Sequence, residues 1–307
     1  MKKFLLSFLF ICNSLFAFQS VVILPFANQS EKQHLYWLGE GFAESLSEEL
    51  LLKDALIIQR PERLSAYEYL GIPYTGDLSR ATMLKIADKL AADYVVFGTY
   101  RLKDSSLETE VKVIKLSSSE LSNPIRASGS LDNLYQLQLT VRDALLQYFK
   151  ADNIQSTESH PFTNNSIPLP AYELYIKGLL ESPEAEQIKL FERAIELKPE
   201  YPQAVWRLGT TLSRLGKYKE SNDVLARGKF EAGYQIKADF LQGLNSYNSG
   251  DFEGAYQKWL ELSKNSPSAE IYNNVGVALL KKNDTAGAGW FLSKAVELAP
   301  ENPAFKF

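Results

Sequence analysis

With 307 residues and 45% hydrophobic side chains, the chain has enough apolar mass for two ordinary cores, which excludes an intrinsically disordered protein. Its 33 Lys and Arg against 37 Asp and Glu leave a net charge of −4, without the clustered positive charge that a phosphate backbone demands, so no nucleic-acid partner is expected. The single cysteine, Cys12, excludes disulfides and thiolate metal sites.

From the amino end, residues 1–17 begin with Lys2 and Lys3, run almost wholly apolar through 4–11 and finish on the small residues Ser14 and Ala17. This is the pattern of a secretory signal peptide, too short to cross a bilayer, with cleavage predicted after Ala17. Cys12 falls inside the leader behind the bulky Ile11, where lipidation needs a small residue. The expectation is a thiol-free periplasmic or secreted protein of bacterial type, not a lipoprotein. No later segment has the length and hydropathy of a transmembrane helix.

Residues 18–150 predict an α/β domain. Residues 21–26, VVILPF, form a β-branched run ended by proline and predict a buried strand. A polar turn at 28–30 leads to an amphipathic helix over 35–53, with Leu38, Phe42, Leu46, Leu50 and Leu51 at helical spacing. A second strand at 55–59 and a short helix opening at Pro61 follow. Asp77 is expected to cap a helix reaching about Ala92, with Leu84, Ile86, Ala87 and Leu90 as its inner face. Strands at 94–102, 107–116 and 125–131 and a helix over 132–148 complete a mixed sheet layered with helices.

Three segments in this order, LPFANQS at 24–30, LGEGFAESLSEEL at 38–50 and ADYVVFGTYRL at 92–102, resemble the amino-terminal domain of the TolB type, related to the FlgO and CsgG envelope proteins. The resemblance spans about residues 20–150. It implies a non-catalytic module of an envelope assembly, with homo-oligomerisation through this domain as the alternative role, and it transfers no catalytic residues.

Residue chemistry in the domain agrees with that implication. Gly39-Glu40-Gly41 begins about a dozen residues past the first strand, whereas a phosphate cradle turns directly from strand into helix, so a close helix-packing point is expected instead. Gly98 within a strand predicts a bend or a close backbone approach. Glu44, Glu48 and Glu49 on one helix predict a solvated face. His34 and His160 lack the companions of a zinc site, and no G-x-S-x-G elbow occurs. No catalytic residue, metal or cofactor is expected; a small-ligand receptor or enzyme on this domain is the remote alternative.

Residues 151–170, ADNIQSTESHPFTNNSIPLP, are polar with three prolines and predict a semi-flexible linker. Beyond it, Gly209, Gly243 and Gly276 recur at spacings of 34 and 33, in step with Gly216, Gly250 and Asn283, with Ser221, Ala255 and Ala288, and with Leu225, Trp259 and Leu292. Such a period marks a helical solenoid, whose units stack because one helix pair cannot bury its own apolar face. The units, 171–201, 202–235, 236–268 and 269–302, resemble the tetratricopeptide repeat and give an all-α domain over 171–307. The clearest copies are AVWRLGTTLSRLGKYKES at 204–221 and IYNNVGVALLKKNDTAGA at 271–288.

A glycine inside a helix costs about 1 kcal/mol relative to alanine, so its recurrence in each first helix predicts close interhelical contact. Gly216, Gly250 and Asn283 are expected to end the first helices at positive φ, and Pro199, Pro267 and Pro300 to stop the second helices. The first unit is short between Gly178 and Phe191, which predicts a clipped turn near Ser182-Pro183. The third has Asp239, Gln242 and Ser246 where apolar residues are expected, which predicts a rotated first helix or exposed aromatic surface. Residues 303–307 look like the start of a further helix, leaving apolar surface near Trp290 and Phe291 to be covered by a partner or by missing sequence.

The tetratricopeptide resemblance implies that the first helix of each unit lines a groove. Carried over position by position, the groove candidates are Trp206, Thr210, Phe240, Leu244, Asn273 and Val277, with Arg207, Ser213 and Tyr247 beside them. The Lys and Asn set that clamps carboxylate tails in some relatives is absent at these places. An aromatic, apolar groove suits protein or peptide partners with hydrophobic anchors, the competing role of each candidate being simple packing. The expected protein is an exported, non-catalytic envelope scaffold.

Overall fold

An aliphatic run without polar alternation has to be covered on both faces. Strand β1 (Gln19–Ile23) meets that demand: Val21, Val22 and Ile23 are fully buried. The computed structural model describes residues 19–74, 76–156 and 167–302; the leader with Cys12, His160 and residues 303–307 lie outside them. The chain divides into two units, Met1–Asn164 and Asn165–Phe307.

In the first unit, β1 is central. It pairs in parallel with β3 (Ala55–Ile58) on one side and β4 (Tyr94–Lys103) on the other, while β2 (Ala27–Asn28) pairs further along β4. Antiparallel β5 (Ser106–Lys115) follows, carrying β6 (Glu120–Leu121) and β7 (Ile125–Ser130) on its far edge. Helices α1 (Trp37–Glu49), α2 (Arg60–Leu70), α3 (Arg80–Lys89) and α4 (Leu134–Ala151) cover the sheet. Val22, Leu24, Val95 and Ile114 form one core with Ala66, Tyr67, Met83, Ile86 and Ala87 of α2 and α3. Strand alternation turns Val21, Ile23 and Val96 to the opposite face, toward α1, and α1 in turn packs on α4.

Three glycines explain the LPF segment. A Cβ on Gly39 or Gly76 would overlap the Phe26 backbone, and one on Gly98 would lie 2.9 Å from the Phe26 ring. Phe26 is thereby pressed onto Phe42, with ring centroids 4.9 Å apart and planes 6° from parallel. Asn28 Oδ1 accepts from the Ser30 amide at 2.8 Å, and Ser30 Oγ accepts from the Leu102 amide at 2.8 Å, so the polar turn ties β2 to the end of β4. Gly39-Glu40-Gly41 is thus a packing point.

Several expectations need correction. Helix α1 ends at Glu49, leaving Leu50 and Leu51 beyond it. The cap of α3 is Ser79, whose Oγ accepts from the Thr82 amide at 3.1 Å, and not Asp77. A 3-10 turn at Leu131–Asn133 precedes α4. Residues 151–156, expected in the linker, stay with the first unit: Ile154 is buried and the Lys53 amide donates to Gln155 O at 2.8 Å.

The solvated acidic face is the largest error. Glu44 and Glu49 are buried, and Glu49 meets Arg142 of α4 at 3.2 Å. Glu40 is buried between Arg60 and Arg63, both at 2.8 Å, and accepts from the Tyr74 hydroxyl at 2.7 Å. Arg63 also donates to Ile23 O at 2.9 Å, which ties α2 to the central strand. Burial pushes the Tyr74 phenol above its ordinary range, Glu40 adding to the rise against the opposing Arg63, so Tyr74 remains a donor. Helical periodicity shows one apolar stripe; it cannot show that the polar flank of α1 is covered by arginines from elsewhere in the sequence.

Removing one member of a fully buried pair leaves its partner charged and unsolvated, at a cost of about 3–5 kcal/mol. Glu40→Ala is expected to lose that much stability in the first unit, read by hydrogen exchange of the β1 amides. Exposed Glu68→Ala should stay within about 0.5 kcal/mol of the parent. A small effect at Glu40 would show that the ion cluster adds little.

Candidate partner-binding face

The second unit is a row of helical hairpins: α5 (Leu169–Leu180) with α6 (Glu184–Leu197), α7 (Pro202–Arg214) with α8 (Tyr218–Arg227), α9 (Ala232–Asn248) with α10 (Phe252–Asn265), and α11 (Ala269–Lys281) with α12 (Thr285–Leu298). The recurring glycine of each inner helix sits against the recurring large residue of its outer helix. A Cβ on Gly178 would lie 2.5 Å from the Phe191 ring, on Gly209 2.6 Å from Leu225, on Gly243 2.5 Å from Trp259 Nε1, and on Gly276 2.6 Å from Leu292. The axes approach as closely as the backbone allows because no side chain stands between them.

The turns follow from local chemistry. Gly216, Gly250 and Asn283 end their helices at φ of 75°, 87° and 63°. Asp251 and Asp284 then cap α10 and α12 by accepting from the amides of Gly254 and Gly287, each at 2.9 Å. The first hairpin departs from the expected clipped turn. Its connection, 181–183, is as long as the others; the shortening lies in α5, where only Leu179 and Leu180 follow Gly178, against five helical residues after Gly209.

Helix α9 keeps the rotation of α7 and α11, since residues 240–245 around Gly243 repeat the burial of 206–211 and 273–278. Phe240, Leu244 and Tyr247, expected on the groove, pack with Trp259, Val275 and Leu279. The rings of Phe240 and Tyr247 each lie 6.1 Å from that of Trp259, whose Nε1 donates to Phe240 O at 3.2 Å. These side chains stay half-buried, and polar residues of α9 meet the neighbouring hairpin. There, fully buried Asn245 donates to Ser221 Oγ and Asn222 Oδ1, both at 2.8 Å, and Ser221 donates to Gly209 O at 2.7 Å. Ser213, another groove candidate, donates to Asn245 Oδ1 at 2.5 Å. This polar lock between two hairpins has no apolar period and leaves only the small residue Ser221 as its mark in the sequence.

Five candidates remain half-buried on the inner helices without belonging to that core or lock. Trp206, Arg207 and Thr210 lie on α7, Asn273 and Val277 on α11. Thr210 Oγ1 donates to Arg207 O at 2.9 Å, and Asn273 donates to Asn274 Oδ1 at 3.3 Å. Trp206 meets Tyr234 of α9 edge-on at 6.3 Å. Tyr234 was not among the expected residues.

The family model of the tetratricopeptide repeat matches residues 269–302, the span of α11 and α12. This segment is a tetratricopeptide repeat (TPR). The preceding hairpins share its glycine contact and, in two of the three, its positive-φ turn. Solved structures similar to parts of the chain include MamA from Desulfovibrio magneticus RS-1, from residue 41 to its end, at 20% identity over 57% of this chain and 98% of that one, with a TM-score of 0.40. Another is YrrB, described as a TPR protein with an unusual peptide-binding site, at 22% identity, 57% and 88% coverage and a TM-score of 0.41. The LpoB C-terminal domain from Salmonella enterica is similar at 12% identity, 38% and 87% coverage and a TM-score of 0.31. A search of curated protein sequences finds no match.

The first unit offers a cleft of about 670 Å³ on the polar face of β4, β5 and β7, lined by Thr99, Arg101, Glu108, Glu110, Lys112 and Arg126. Its charges answer one another: Arg101 meets Glu108 at 2.9 Å, and Lys112 and Arg126 meet Glu110 at 2.8 Å. The hydrogen bonds from Arg101 and Lys112 hold Glu108 and Glu110 below the usual carboxylate range. Among the described residues, no group of three His, Cys, Asp or Glu could hold a metal, and no helix is long and apolar enough to cross a membrane.

The glycine contacts predict a graded response. In Gly243→Ala the new methyl meets a rigid indole, and overpacking of about 1–3 kcal/mol outweighs the gain in helix propensity. In Gly209→Ala it meets only the Leu225 side chain, which can rotate, so the loss should be smaller. Urea unfolding followed by tryptophan fluorescence compares them; equal stability of the two variants would contradict the tight-contact account.

Proposed function

We propose that the protein is an exported, non-catalytic scaffold of the bacterial cell envelope that holds a protein or peptide partner along the inner helices of its repeat array. The observation that carries this reading is the division of labour on α7 and α11. Their outer-helix side is consumed by the glycine contacts, while Trp206, Arg207, Thr210, Asn273 and Val277 stay partly accessible on the helices that such solenoids use for binding. TPR proteins are typically non-catalytic scaffolds, which agrees with the mutual neutralisation of charge in the cleft of the first unit. The apolar leader motivates export, and the LPFANQS turn with its clamped Phe26 supports a TolB-type module over 18–150.

A second reading, a homo-oligomer built through the α/β domain, is favoured by one observation. Among the named strands, β3 pairs only with β1 and β7 only with β5, and Leu56 on β3 is 65% exposed. Sedimentation of the full chain separates the readings, since a strict monomer opposes the second.

The scaffold reading predicts that the full chain, immobilised, retains defined envelope proteins, and that Val277→Arg weakens the strongest of these interactions about ten-fold or more while leaving the melting curve unchanged. Retention indifferent to that change would sink the groove. Mass spectrometry of the exported protein should show an amino terminus at Phe18; a cell-retained chain beginning at Met1 would sink the export claim.

A further inference from the structure

The rhythm of the repeat array breaks at one junction. Outer helices α6, α10 and α12 run on to Leu197, Asn265 and Leu298, well past their glycine-contacting residues Phe191, Trp259 and Leu292, whereas α8 stops at Arg227, just after Leu225. The missing turn reappears on the next helix: α9 has 17 residues, while α7 and α11 have 13 each.

Sequence accounts for the shift. Pro199 and Pro267 stand between outer and inner helices at the flanking junctions, where they forbid helical hydrogen bonding, and Gly233 takes that place here. Gly228 stands where α6 has Ala194 and α10 has Leu262. A Cβ on Gly228 would overlap the Phe230 ring, which lies back across the end of α8.

Aromatic rings occupy the resulting notch. Phe230 is nearly parallel to Tyr234, 6.4 Å between centroids and 16° between planes, and Tyr234 meets Trp206 at 74°. All three rings are half-buried, so each keeps an accessible part. Cations belong to the same helices. Lys237 Nζ lies 5.3 Å from the Tyr234 centroid, and Arg207 adjoins Trp206. The nearby acids Glu200 and Asp239 are paired with Lys229 and Lys258, leaving Glu231, the residue before α9, as the exposed acid at the rim. Across all four inner helices Lys177, Arg207, Arg214, Lys237 and Lys281 outnumber Glu173, Asp239 and Glu270, in a chain of net charge −4.

We propose that this shifted junction is an anchor site for an acidic peptide, which inserts one aromatic or bulky aliphatic side chain against Trp206, Phe230 and Tyr234 and sets its carboxylates toward Lys237 and Arg207. The site rests on the peptide-binding reading of the inner face and specifies the chemistry of its partner. Flat rings accept an apolar anchor from any direction, whereas the excess of cations selects the sign of the flanking residues.

The test is fluorescence anisotropy of the full chain with three labelled synthetic peptides: a single Trp flanked by Asp and Glu, the same Trp flanked by Lys, and the acidic peptide with its Trp replaced by Ala. The acidic Trp peptide should bind best, more weakly as salt rises, and about ten-fold or more weakly to Tyr234→Ala and to Trp206→Ala. Tyr234→Phe keeps the ring and should retain binding, which separates loss of the anchor from misfolding; Lys237→Glu should flatten the salt dependence. Equal affinity for the acidic and basic peptides overturns the charge assignment, and unchanged affinity in both alanine variants overturns the anchor, each leaving a peptide-binding groove intact. Failure of all three peptides to bind overturns the site, while retention of envelope proteins sensitive to Val277→Arg would still uphold the wider groove.

Discussion

A backbone with no side chain can be approached by a large side chain to within contact of its own atoms, and both units are organised around that fact. In the repeat array the glycine of each inner helix receives Phe191, Leu225, Trp259 or Leu292. In the α/β unit, Gly39, Gly76 and Gly98 close on Phe26. The propensity penalty of about 1 kcal/mol for each helical glycine is offset by bringing a ring or a leucine against main chain, where packing density is highest. These contacts also fix the rotation of each helix about its axis, since the glycine has to face its partner. That rotation decides which side chains are spent on the core and which remain for a partner.

The contrast between α7 and α9 shows the consequence. With Leu225 opposite Gly209, Trp206 and Thr210 of α7 stay on the accessible side. With the larger Trp259 opposite Gly243, the corresponding Phe240 and Leu244 of α9 pack on its cluster while staying half-buried, and Asn245 reaches the preceding hairpin, where Ser213, Ser221 and Asn222 satisfy it. A buried amide with all its hydrogen bonds made fixes register more strongly than an apolar contact of equal size, because any slip leaves it unsatisfied. Asn245 of the third unit is therefore what aligns that unit with the second.

Legibility in the sequence follows the range of each interaction. The recurring glycines, the positive-φ residues Gly216, Gly250 and Asn283, and the order of strands and helices were readable because each is set by the chemistry of a few neighbouring positions. The burial of Glu40 and Glu49 was not, since Arg60, Arg63 and Arg142 reach them from other helices and a single helix pattern holds no trace of them. Of the nine groove candidates, Phe240, Leu244 and Tyr247 pack with Trp259 and Ser213 bonds Asn245, contacts across helices that no single helix pattern shows. The aromatic notch lies between these extremes. Gly233 in the proline position was visible in the repeat, and its meaning needed only the step that a missing proline lets the next helix begin a turn early.

That step bears on where a solenoid of this kind can acquire specificity. Regular repeats bury equivalent residues in equivalent ways, so a binding residue introduced at a regular position competes with the packing that holds the hairpin together. Moving one turn from α8 to α9 leaves the contact of Leu225 with Gly209 and that of Trp259 with Gly243 in place. It alters the connection between them, where Gly228 stands in place of a buried side chain and Phe230 and Tyr234 add surface beside Trp206. Stability and recognition are thereby assigned to different residues within the same two helices, and the first can be kept while the second varies.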